Sequence, residues 1–83
     1  MAQEGMIRPE DILNLTRRRP FAPFRIHMSD GSSFEVRHPE LAMVLQSRVV
    51  IGVPPADPER PPKELQFCSI LHITRLEELP AAG

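Results

Sequence analysis

His27, His38 and His72, with Glu35, Glu40 and Cys68, are the side chains of this chain that could gather around a metal ion. Neutral imidazole is the commonest such ligand, but a zinc site wants four ligands at defined reach. His38 and Glu40 flank Pro39 and could project from one rim; the simpler reading is that His38 closes a turn through backbone hydrogen bonds. No metal and no cofactor is expected. Nucleophilic chemistry finds less support. Cys68 falls with Gln66 on the face opposite Leu65 and Phe67, a face read as exposed, and nothing local would lower its pKa or orient a base. Ser29, Ser32, Ser33, Ser47 and Ser69 lie in no strained elbow motif. Gly5, Gly31, Gly52 and Gly83 are too scattered to cradle phosphate. No catalytic residue is expected, and the chain reads as a non-enzyme.

A cationic face remains. Arg25 and His27 lie on the outer side of one strand, beside Arg37 and Glu35 on its hairpin partner. Arginine grips phosphate bidentately. Single-stranded bases also want exposed aromatics for stacking, and the chain has no Trp or Tyr, while its four Phe suit core or staple positions. Cross-strand pairing of Arg25 or Arg37 with Glu35 is the simpler account. The formal net charge of −1 supplies no bulk attraction to nucleic acid or anionic lipid.

The elements that must position these groups follow from patterning. Pro9, Glu10 and Asp11 mark a helix start, since proline fits the first turn and carboxylates favour the positive helix end. Ile12, Leu13, Leu15 and Thr16 form its apolar stripe; Arg17, Arg18 and Arg19 complement its negative end before Pro20 stops it, which predicts a helix over about 9–19. From Phe24 the period becomes two. Phe24, Ile26 and Met28 alternate with Arg25, His27 and Ser29, Asp30-Gly31 turns the chain, and Phe34 and Val36 continue the pattern. The stretch from Ala42 to Val53 reads as one long bent strand, with Leu45, Ser47, Val49, Ile51 and Val53 on one side. Five of the nine residues from Pro54 to Pro62 are proline, a loop that cannot enter a ladder. Leu65 and Phe67 mark a fourth strand, Ser69-Ile70-Leu71 a short turn, and Ile73 and Leu76 a fifth strand. No internal repeat is visible.

Eighty-three residues allow one domain. It spans 8–79, after a flexible lead-in at 1–7 and before a tail at 80–83. Leu, Ile, Val and Phe number 23, enough for a thin core that oligomerisation would reinforce. One cysteine rules out an internal disulfide, and neither a leader pattern nor a membrane-spanning apolar run is present; the expectation is a soluble, cytoplasmic protein. The expected architecture is mainly β, a five-stranded small barrel with one N-terminal α-helix.

Two stretches carry a family resemblance. Ile26, Met28, Asp30 and Gly31 look like the end of the first Sm motif, and SILHITRL, Ser69 to Leu76, looks like the second; over Phe24 to Leu79 the chain resembles the Sm-like barrels. That resemblance implies the barrel fold, and a bacterial RNA chaperone of this class carries a histidine where His72 stands. Val36 replaces a glycine frequent in the family, and His38-Pro39-Glu40-Leu41 replaces its base-binding Asp and Asn. The text PFAPFRIHMSDGSSFEVRHPE also resembles a small bacterial protein family, which implies no activity.

Two functions are carried forward. The first is a non-catalytic binding or scaffolding module that self-associates, or binds another protein chain, through edge strands at Gln66 and Cys68. The second is a single-stranded RNA-binding Sm-like ring in which Arg25, Arg37, His72 and Arg75 contact phosphate or base.

Overall fold

A computed structural model describes residues 6–57 and 59–80. Residues 1–5 of the expected lead-in over 1–7, residues 81–83 of the expected tail over 80–83, and Pro58 of the proline-rich loop lie outside the described residues. Helix α1 (Pro9–Arg17) comes first. The Arg8 N–H donates to Asp11 Oδ2 at 2.8 Å and the Asp11 N–H to the Arg8 carbonyl at 2.9 Å, so local groups satisfy the helix start. The helix ends two residues earlier than its sequence predicts, because Arg18 is already extended ahead of the segment leading to Pro20. The Arg19 guanidinium caps the end, donating to the carbonyls of Thr16 and Arg18. Ile12 and Thr16 are the helix's buried contacts.

Six strands follow: β1 (Phe24–Met28), β2 (Ser33–Val36), β3 (Ala42–Val44), β4 (Arg48–Gly52), β5 (Leu65–Ser69) and β6 (Ile73–Glu78). They form two three-stranded antiparallel sheets, one in the order β2-β1-β6 and the other β3-β4-β5. The five-stranded Sm-like barrel is therefore corrected: the described residues form six strands in two sheets and no closed barrel. Two local events account for the difference. The expected long strand from Ala42 to Val53 breaks into a hairpin, with the Leu45 N–H bonded to the Arg48 carbonyl at 2.8 Å across Gln46 and Ser47. At each passage between sheets, β2 to β3 and β5 to β6, a 3-10 turn interrupts the chain, at Pro39–Leu41 and at Ile70–His72. A turn there ends one ladder and opens another, where a bent strand would have joined the two sheets.

These turns expose an internal symmetry that the residue pattern does not show. A hairpin, a 3-10 turn and a third strand occur twice in succession, as β1-β2-turn-β3 and as β4-β5-turn-β6. Each half sends its third strand to the other half's sheet: β6 pairs with β1, and β3 with β4. The core lies between the sheets and under α1, built from Ile12, Phe24, Ile26, Val36, Val49, Ile51, Cys68, Ile70 and Ile73.

Candidate functional site

The outer face of the β2-β1-β6 sheet carries the predicted cationic group. Register places Arg25 opposite Glu35 on one side and Glu77 on the other. Arg25 Nη2 donates to Glu35 Oε2 at 2.6 Å, Arg37 Nε to Glu35 Oε1 at 2.9 Å, and His27 Nε2 lies 2.8 Å from Glu77 Oε1. Hydrogen bonds from Arg25 and then Arg37 hold the Glu35 carboxyl below the usual glutamate range, and the His27 contact does the same for Glu77. Arg75 sits beside His27 in the register, exposed, close enough that its charge adds to the lowering at Glu77. The local pattern revealed Glu35 but not Glu77, which stands 52 residues from Arg25 and reaches it only through β6. The cationic face is an alternating ion ladder.

His72 lies apart from that ladder, exposed in the second 3-10 turn, where its carbonyl accepts the Ser29 N–H at 2.8 Å. Nearby, Asp30 takes hydrogen bonds from the Ser32 hydroxyl and N–H, which lower its pKa. His38 precedes the first 3-10 turn, and its carbonyl accepts the Leu41 N–H, so its backbone closes the turn. His38 and Glu40 line one cleft with Arg60 and the prolines Pro54, Pro55 and Pro62. Among the described residues no three His, Cys, Asp or Glu side chains are grouped to hold a metal.

Strand β5 reverses the facing that its sequence predicts. Cys68 is fully buried and packs into the core, whereas Leu65 and Phe67 are 57% and 59% exposed. Burial pushes the Cys68 thiol up to about 11, so it is neither exposed nor a ready nucleophile. The cause is register. Cys68 lies opposite Val49 and Gln66 opposite Ile51, and those two β4 residues face the core, so the larger apolar side chains of β5 turn outward. With Met43 and Val50 they form an apolar surface on this sheet, continued by Leu41 and Pro62.

Backbone groups complete the edge. The Ile70 N–H bonds the Ser47 carbonyl and the Val53 N–H bonds the Glu64 carbonyl. By the alternation of an antiparallel ladder, Gln66 and Cys68 then turn their N–H and C=O toward β4, and Leu65, Phe67 and Ser69 turn theirs out of the sheet. Strand β5 is the outer strand of its sheet, and its outward groups belong to Leu65, Phe67 and Ser69, the neighbours of the expected edge residues Gln66 and Cys68.

The other three edges are guarded. On β2 the outward groups belong to Ser33, Glu35 and Arg37, by the alternation that the Met28 N–H to Ser32 bond fixes. Strand β3 is only three residues long and lies against α1. Strand β6 pairs through a register slip between His27 and Met28 and carries Glu78, ion-paired with Arg18. Charge, shortness and irregularity are the usual protections of a sheet edge. Strand β5 has five residues, no proline, no Lys, Arg, Asp or Glu, and a regular ladder on its inner side.

Searches against protein-family models, curated proteins and solved structures return no match. No helix of the described residues is long and apolar enough to cross a membrane.

Proposed function

We propose that this chain is a non-catalytic binding and scaffolding module that associates with further copies of itself by adding a strand at the free edge of β5. One observation carries the reading. The residues whose backbone donors and acceptors point out of the sheet, Leu65 and Phe67, are also the ones whose apolar side chains stand in solvent. Strand addition there satisfies the backbone and shelters the side chains in one step.

The test is native mass by light scattering for the wild type, Phe67→Pro and Phe67→Lys. The wild type is expected above the monomer mass. Proline at Phe67 deletes an outward N–H and leaves the bonds to β4 intact, so this variant is expected as a folded monomer with an unchanged far-ultraviolet spectrum. Lysine places a charge in the new ladder and acts in the same direction. A wild type that stays monomeric at the highest concentrations reached overturns the proposal. The RNA-binding reading has less support, because Glu35 and Glu77 already occupy Arg25, and Glu35 also engages Arg37. Absorbance at 260 nm on the same peak, in a protein without Trp or Tyr, would reveal co-purified nucleic acid.

A further inference from the structure

Resting on the self-association just proposed, we infer that β5 pairs with β5 of a second copy about a two-fold axis at Phe67, closing the assembly as a dimer. The outward backbone groups fix this register. Only Leu65, Phe67 and Ser69 of the strand offer them, because on one side Lys63 spends its N–H on the Val53 carbonyl and on the other the chain enters the 3-10 turn at Ile70–His72. An antiparallel pairing centred on Phe67 sets Leu65 opposite Ser69 of the second copy, Phe67 opposite Phe67, and Ser69 opposite Leu65. It uses all three outward residues of both strands, for about six ladder hydrogen bonds. A shift by two residues in either direction strands an outward donor and acceptor on each copy.

Charge agrees with the centred pairing. The five residues Leu65, Gln66, Phe67, Cys68 and Ser69 contain no Lys, Arg, Asp or Glu, so a strand can face its own copy without like charges opposed. The two Phe67 rings then shelter one another. They join the apolar surface of Met43 and Val50 on one copy to the same surface on the other, across a continuous six-stranded sheet. The symmetry also limits size. Pairing β5 with a different edge would leave one β5 free at each step and propagate a ring or filament, whereas β5 on β5 consumes both free edges. The other edges carry the charge, shortness and irregularity already described, so a closed dimer is the outcome.

The experiment joins native mass to cysteine cross-linking with a short bis-maleimide. Three chains are compared: Leu65→Cys, Ser69→Cys, and the double variant carrying both. Native Cys68 remains in place, since its full burial keeps it from the reagent, and the wild-type chain serves as the control for that. A mass of twice the chain, with cross-linked dimer from the double variant and none from either single variant, is the result expected. Dimer from a single variant would mean that Leu65 meets Leu65, or Ser69 meets Ser69, which overturns the register while self-association stands. Failure of all three to link in a protein of dimer mass overturns the use of β5, and a mass above two copies overturns the closure. A monomer mass removes the parent reading itself.

Discussion

Glu35 is the most heavily engaged carboxylate of the outer ladder, taking Arg25 on one oxygen and Arg37 on the other. Glu77 joins the same ladder through His27 and Arg25. Both carboxyls titrate below the ordinary glutamate value in the folded chain, so folding is favoured by their ionised forms. That contribution is whole above the unfolded pKa and is lost as pH falls through the folded values. Denaturant midpoints taken from about pH 6 to pH 3 should drop, and Glu35→Gln should shrink the drop, since glutamine has no proton to gain. Equal acid sensitivity in the two proteins would remove Glu35 from this role. At this scale the sequence was informative where partners are near. Arg25 and Glu35 meet across an Asp-Gly hairpin that alternation alone marks, with Gly31 at φ +92° as the turn requires. Glu77 escaped because nothing in a local pattern names the strand that pairs on the far side of β1. An isolated alternating strand shows two faces without saying which one is inside, so the pattern of β5 alone puts Cys68 and Phe67 on the wrong sides. The partner strand decides that, and it set the smaller Cys68 against Val49.

Among the elements, the β3-β4 hairpin was the least visible. Its loop, Gln46 and Ser47, holds neither Gly, Pro nor Asn, and no non-glycine residue of the described chain has positive φ, so the turn leaves none of the usual marks. Helix α1, the first hairpin and the proline-rich loop carry strong signals, and the helix expected over about 9–19 is observed over Pro9–Arg17. That loop is tied down where Gly52 ends β4. A Cβ at Gly52 would stand 3.3 Å from the Pro62 ring and 3.4 Å from Leu41 Cδ2, and a proline ring, closed onto its own backbone, can shift only by a change of pucker. Gly52→Ala should cost about 1–3 kcal/mol in a urea titration, as overpacking does elsewhere. No measurable loss would mean that the loop yields freely at Pro62. Proline placed at Gln66 separates edge from ladder at this same scale: its N–H points toward β4, so Gln66→Pro should unfold the chain that Phe67→Pro leaves folded.

For the whole molecule, the expected barrel and the observed pair of sheets share most of their strands and differ in what happens at the corners. Apolar alternation gives strand content, but closure depends on pairings between distant segments, and two 3-10 turns redirect those pairings into separate ladders. The exchange of third strands between the halves gives the chain an interlock. The fragment after Ala56 would hold β5 and β6, each seated in a different sheet, one gripped by β4 and the other by β1. Cutting the backbone inside the proline-rich loop should therefore not release it. A protease site introduced at Ala56 and cleaved to completion should leave two peptides that run apart on a denaturing gel yet travel as one particle through a sizing column. The covalent connection between β4 and β5 is then a tether that speeds assembly, while the two-sheet anchorage holds the finished fold together.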